Sequence, residues 1–252
     1  MNDTMSITKL KDRLKKNALK ICEDLGVQSD ERKSAVLFPS LKLSFHSETF
    51  SNINSNKEFL KRLNKSHSKA KGYKEMQSSN SSDALLMNIF AYPNVLENKR
   101  LRNLLGVNQN ECIEFGWNPE FENETRKTEI DMKIGDSIFE AKLTESNFTK
   151  KSQNIVLNYP NVEQVIDLKA LYKGEDILYY QLIRNLLTAY KYKGNFNLIV
   201  DESRSDLIGA FKKVKEAIKT VELKNRFNFL TWQEITDTLE NDLKQYITKK
   251  YL

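Results

Sequence analysis

From Glu129 to Leu143 the chain reads Glu-Ile-Asp-Met-Lys-Ile-Gly-Asp-Ser-Ile-Phe-Glu-Ala-Lys-Leu, two alternating runs joined by Gly135-Asp136. A Gly-Asp pair between such runs predicts a tight hairpin, because glycine supplies the backbone conformation that matches the twist of paired strands. With a two-residue loop, Ile134 faces Ser137, and counting outward sets Met132 opposite Phe139, Asp131 opposite Glu140 and Glu129 opposite Lys142. One face then carries Ile130, Met132, Ile134, Phe139 and Ala141; the other carries Glu129, Asp131, Lys133, Ile138, Glu140 and Lys142. A slip of one residue would turn the whole apolar set to solvent, so this register constrains the fold more than any other segment.

The charged face raises a chemical question. Opposed carboxylates at Asp131 and Glu140, roughly 5 Å apart at Cβ, repel and weaken a hairpin. A divalent cation between them reverses that sign, since hard ions such as Mg²⁺ are held by one or two carboxylates plus water and phosphate oxygens. Lys142 shares this face and is positioned to orient or deprotonate a metal-bound water. In a chain with 29% charged residues the same pattern also arises on solvated sheet faces, and the hairpin alone leaves that reading open.

Composition narrows the chemistry. A length of 252 residues at 39% hydrophobic content supports one sizeable core. Cys22, Cys112, His46 and His67 show no ligand spacing, which argues against zinc, a disulfide framework and nucleophilic triads, and no Gly-rich phosphate loop occurs. Carboxylates and lysines are left to act. The net charge of +6 leans toward an anionic partner, although abundant Lys and Asn can also reflect coding bias. Without a run of about 18 apolar residues or a secretion signal, the expected location is cytoplasmic, with no membrane partner.

Along the chain, Ile7, Leu10, Leu14, Ile21 and Leu25 recur at helical spacing among basic residues, and Gly26 ends the run; the basic face contacts DNA or is simply solvated. Val36 to Phe45 reads as one or two strands. From Asn56 to Lys74, Lys57, Lys61, Arg62, Lys65, Lys69, Lys71 and Lys74 stand against the single acid Glu58, a composition that suits phosphate contact or a flexible linker. Helices are expected from Asp83 to Ala91, capped by the preceding serines, and from Val95 to Leu105. A strand from Glu111 to Trp117 precedes the hairpin. Pro160 to Tyr172 and Asp176 to Tyr192 read as helices, Phe196 to Val200 as a buried parallel strand, Asp206 to Lys219 as a helix, Phe227 to Leu230 as a strand and Gln233 to Lys249 as a final helix.

Helix, three-stranded meander, helix and strand, with Asp131 in the second strand and Glu140-Ala141-Lys142 in the third, resembles the core of the PD-(D/E)XK nuclease superfamily. Ser81-Ser82-Asp83-Ala84-Leu85, Glu114-Phe115-Gly116-Trp117-Asn118-Pro119, Arg126-Lys127-Thr128-Glu129-Ile130-Asp131, Glu140-Ala141-Lys142-Leu143-Thr144-Glu145 and Tyr180-Gln181-Leu182-Ile183-Arg184-Asn185 resemble segments of an uncharacterised bacterial group of predicted restriction endonucleases. The likeness covers about Ser81 to Trp232. It departs at Ile130, where the motif's proline would stand, and at Asp83, where the narrower group suggests an amide.

The resemblance implies an α/β, restriction-endonuclease-like core, a central mixed sheet flanked by helices, over 81–252, with a mainly helical basic extension over 1–80 that contacts DNA or packs on the core. It implies a Mg²⁺-dependent DNA endonuclease of restriction or defence type, with Mn²⁺ as a substitute ion and a homodimer as one possible assembly. Asp131 and Glu140 would hold the metal and Lys142 would position the water. Glu114 is either a third ligand or a solvent-facing strand residue. Gln181 and Arg184 share a helix face that binds substrate phosphate or pairs with surface acids. Lys61, Arg62 and Lys65 are expected on DNA phosphates; Asn88, Glu129 and Glu145 complete the candidates, and Tyr179, Tyr180, Phe196 and Phe229 read as core. A repair or RNA-processing nuclease and a catalytically silent DNA-binding subunit are the alternatives.

Overall fold

A computed structural model describes residues 3–120 and 129–252. Its central sheet has five strands, β1 Ile113–Trp117, β2 Ile130–Ile134, β3 Ser137–Ala141, β4 Asn195–Val200 and β5 Phe227–Thr231, in spatial order 5-4-3-2-1. The first three form an antiparallel meander, and β4 and β5 run parallel to β3. Helices cover both faces: α1 Asp3–Asp24, α2 Ser47–Ser55, α3 Lys57–Leu63, α4 Ser82–Phe90, α5 Lys99–Leu105, α6 Tyr180–Lys191, α7 Ser205–Ala217, α8 Trp232–Thr238 and α9 Asn241–Tyr251. This is the expected α/β architecture.

The hairpin turns at Gly135 with the expected register, Ile134 opposite Ser137 and Met132 opposite Phe139. Met132, Ile134, Phe139 and Ala141 pack with Leu10, Leu14, Phe90 and Trp232 from α1, α4 and α8. Ile138, Phe196, Leu198 and Phe227 point to the other face, against Leu182 and Leu186 of α6 and Phe211 of α7. Ile130 departs from expectation by joining this second cluster. The ladder between β2 and β3 ends at Met132 opposite Phe139, and beyond it β2 loses the alternation of faces, whereas Phe139, Ala141 and Leu143 keep it along β3 and just past its end.

Other expectations need correction. Asp176 to Tyr192 is not one helix: Asp176–Leu178 is the middle strand of a small antiparallel sheet with Lys150–Ser152 and Tyr172–Lys173, and Tyr179, at φ +59°, separates it from α6. Pro160 to Tyr172 holds only a one-turn helix, Val162–Val165, and a 3-10 turn, Leu168–Leu171, because the Asp167 carboxylate accepts the Lys169 N–H and restarts the chain. Val36 to Phe45 contributes just the strand Val36–Leu37 before a 3-10 turn. The second helix is split where the Asn98 side chain caps α5, and the last where Leu239 and Glu240 are extended.

The N-terminal segment packs on the core. Leu10 and Leu14 lie in the same cluster as the hairpin, and Arg13 Nη2 meets the buried Asp201 carboxylate at 2.7 Å. Asn56 to Lys74 is not a linker: α3 packs Leu63 beside Ile53 and Met87, and the following turn is fixed by His67 Nδ1, which accepts the N–H groups of Lys69 and Ala70. Among the described residues no helix is long and apolar enough to cross a membrane.

The hairpin tip is pinned by close backbone approach, since a Cβ at Gly194 would lie 2.0 Å from the Asp136 carbonyl oxygen while Asn195 N–H donates to that same oxygen. Gly194→Ala is expected to destabilise the fold by about 1–3 kcal/mol, the usual cost of forcing backbone apart in a packed site. Urea unfolding of the variant beside wild type measures this.

Candidate active site

Where β2 and β3 part, Asp131 turns its side chain into the gap: Oδ2 accepts the Ala141 N–H at 2.8 Å in place of a ladder bond. One strand over, Glu140 is almost completely buried. Its Oε1 accepts from Lys142 Nζ at 2.7 Å and its Oε2 from Asn185 Nδ2 of α6 at 3.0 Å. Both oxygens are thus held, which is the condition for burying a carboxylate at tolerable cost.

Electrostatics divide the two acids. Burial, then the neighbouring carboxylates of Glu140 and Asp83, push the Asp131 carboxyl well above the usual range. Burial opposes ionisation of Glu140 as well, but Lys142, Arg184 and the Asn185 hydrogen bond outweigh it and bring its pKa down. Lys142 is raised despite burial by Glu140 and Asp131, so it is an ammonium donor rather than a ready base. The sequence allowed it either role. Asp131 therefore lacks a full cationic partner and keeps one oxygen uncommitted to the backbone. The donor set is hard oxygen, and two such carboxylates fit Mg²⁺ or Mn²⁺ completed by water and phosphate. Among the described residues no three His, Cys, Asp or Glu side chains form a ready-made metal cluster.

The remaining candidates are distributed unevenly. Glu114 stays on the sheet edge, half-exposed, and its carboxylate meets Lys133 Nζ at 3.2 Å across the β1–β2 ladder. Arg184 is buried on α6, donates to Asn185 Oδ1 at 3.2 Å and faces Glu140 electrostatically, while its Nε has no partner among the described residues. Gln181, one turn earlier, is half-buried. Lys61 is exposed and paired with Glu58. Arg62 overturns the expectation of a free phosphate contact: its side chain is only 6% exposed, because Asp83 takes Nη2 at 2.9 Å, Glu129 takes Nη1, and Asp131 Oδ1 lies 3.6 Å away. Lys65 is likewise engaged, 3.0 Å from Glu75 and 3.5 Å from Asp83.

Asn88 belongs to the core, where its Oδ1 accepts the His46 N–H and its Nδ2 donates to the Ser44 and Ala84 carbonyls. Glu145 holds the chain beyond Lys142 by accepting from Leu143 N–H and Ser82 Oγ. Arg126, Lys127 and Thr128 lie outside the described residues.

Sequence reasoning missed Asn185 and Asp83 as parts of this centre. Asn185 directly follows Arg184, but a buried amide on a helix has no periodic signature. Asp83 follows the capping serine, where an acid is ordinary helix chemistry. Asn185→Ala is expected to cost about 1.5–3 kcal/mol, because it strips a donor from a buried charge; thermal or urea unfolding at neutral pH checks it.

No curated protein and no solved structure matches the chain. A family model described as Restriction Endonuclease associating with ARP matches residues 13–252. With nearly its whole length matched and Asp131, Glu140 and Lys142 gathered at one end of a mixed sheet, the chain belongs to this restriction-endonuclease family.

Proposed function

We propose that the protein is a Mg²⁺-dependent endonuclease that hydrolyses DNA phosphodiester bonds, of restriction or defence type, with Asp131, Glu140 and Lys142 as its catalytic residues. The observation that carries this reading is the buried pair of Glu140 and Lys142, 2.7 Å apart and beside Asp131, whose Oδ2 is taken by the Ala141 N–H while Oδ1 faces Arg62 at 3.6 Å. A buried ion pair contributes little net stability compared with apolar residues of the same size, so its use at the open end of a hairpin supports a chemical role.

In the reaction, a water oxygen bonds to phosphorus, the bond from phosphorus to the leaving sugar oxygen breaks, and that oxygen takes a proton. Bound Mg²⁺, or Mn²⁺ in its place, would lower the pKa of the water and offset charge on the phosphate. Asp131 and Glu140 would hold the ion. Lys142, kept protonated by its two acidic neighbours, donates to the attacking water or to a phosphate oxygen and stabilises the charge that builds there. Arg184 supplies a second buried cation behind Glu140, and Gln181 stands on the same helix as a hydrogen-bonding group for substrate.

Asp131→Ala, Glu140→Ala and Lys142→Ala should each abolish cleavage while DNA binding remains measurable. Incubation with plasmid, RNA and single-stranded DNA, with and without Mg²⁺ or Mn²⁺, tests both the activity and its substrate. Wild-type rates in any one variant would remove that residue from the site, and cleavage of RNA alone would favour an RNA-processing enzyme.

With Arg62 buried among acids and Lys65 held by Glu75 and Asp83, the exposed lysines Lys57, Lys69 and Lys71, together with Lys61, whose pair with Glu58 is solvent-exposed and weak, are the groups of this segment offered to phosphates. Replacing the four with Gln should weaken binding to all DNA sequences alike. For each phosphate no longer neutralised, the slope of log affinity against log salt should become shallower by about 0.9. An unchanged slope in a fluorescence-anisotropy titration would mean that these lysines are only solvated.

A further inference from the structure

Arg62 enters the acidic centre from outside the sheet. Its guanidinium is supplied by α3, reaches the carboxylates of Asp83 and Glu129, and ends 3.6 Å from Asp131 Oδ1. Oδ2 of the same aspartate is spent on the Ala141 N–H. The oxygen left for a metal is therefore the one that faces Arg62.

The approach is built into the edge strand. Gly116, at φ +66°, lies between the paired residues Phe115 and Trp117 of β1, alongside the stretch of β2 that holds Asp131. A Cβ there would lie 2.8 Å from Arg62 Nη1 and 3.2 Å from Glu129 Oε2. Any larger residue would crowd the guanidinium out of its place. Above it, a cleft of about 660 Å³ between α3 and β1, lined by Phe59, Lys61, Arg62, Trp117 and Glu129, leaves room for the side chain to withdraw.

We propose that Arg62 is the resident counter-cation of the acidic centre, and that a divalent ion on Asp131 and Glu140 competes with it and loosens α3 from the sheet. The inference rests on the metal reading given above. Asp83, Glu129 and Asp131 present three carboxylates to one guanidinium, and Lys142 is committed to Glu140, so Arg62 is the cation closest to the oxygen the ion would use. A second positive centre at that oxygen repels it. Coupling of this kind is reciprocal: whatever holds Arg62 in place weakens the ion, and the ion weakens the hold. A neighbouring unit charge within about 4–6 Å shifts a carboxylate's affinity for a proton by one to three powers of ten, and its affinity for a metal cation moves in the same direction.

Mn²⁺ titrated calorimetrically into the full chain as wild type, Arg62→Gln, Arg62→Lys and Asp131→Asn tests this. Arg62→Gln should bind Mn²⁺ at least about tenfold more tightly than wild type. Arg62→Lys, which keeps the charge, should stay near wild type, and Asp131→Asn should lose binding. Hydrogen exchange of wild-type amides from Lys57 to Leu63 should speed up when Mn²⁺ is added, a readout that also serves if Arg62→Gln does not fold. Equal or weaker binding by a folded Arg62→Gln, with binding still lost in Asp131→Asn, overturns the competition and leaves the metal reading standing. Unchanged exchange in α3 also overturns it, and no Mn²⁺ binding by wild type overturns both.

Discussion

A carboxylate as deeply buried as that of Glu140 is tolerable only because Lys142 and Asn185 hold its two oxygens, and much of the molecule keeps those three residues in place. The chain leaving β3 is fastened on every side. Trp232 Nε1 donates to the Lys142 carbonyl, and the fully buried Arg204 guanidinium donates to the carbonyls of Leu143 and Glu145. Lys142 N–H bonds to the Ile199 carbonyl of the neighbouring parallel strand. These partners come from the C-terminal end of β4, the start of α7 and the start of α8, so the position of one lysine depends on elements far apart in the chain. Loss of one member of such a pair leaves an uncompensated charge, a penalty of about 3–5 kcal/mol that makes the arrangement all or nothing.

The division between the two acids follows from the same geometry. Glu140 is surrounded by donors and ionises readily; Asp131 sees Glu140 and Asp83 and is driven toward its proton. One sheet end therefore holds an acid already neutralised by the protein and an acid that lacks a full partner. Arg62 supplies part of the missing charge from α3, which makes the N-terminal segment electrostatically part of the centre. The family match, which begins at residue 13, runs through that segment and the sheet alike.

Much of the core was legible in the sequence because its signals are local. The Gly-Asp turn sets the hairpin register, alternation sorts Met132, Ile134 and Phe139 to one face, and the apolar run before Asp201 reads as a buried strand. The failures share a cause as well. Asp176 to Tyr192 has enough apolar residues for one helix, but the first three pair with Lys150–Ser152, a partner chosen by tertiary proximity. The Lys-rich stretch from Asn56 to Lys74 is indistinguishable by composition from a solvated linker or a phosphate-binding face. Whether a given lysine or arginine is free depends on acids such as Glu75, Asp83 and Glu129, which composition cannot assign to it.

The sequence by itself determined the hairpin, the shared face of Met132, Ile134, Phe139 and Ala141, and the acids and lysine the two strands carry, since turn chemistry and a period of two act over neighbouring residues. Only the tertiary structure decided which charges meet. It placed Asn185 against Glu140, sent Arg62 into the acids instead of toward solvent and left Glu114 with Lys133 at the sheet edge. Ion pairing falls off within a few ångströms and burial sets its strength, so residues dozens of positions apart acquire their charge environment only once the chain has packed.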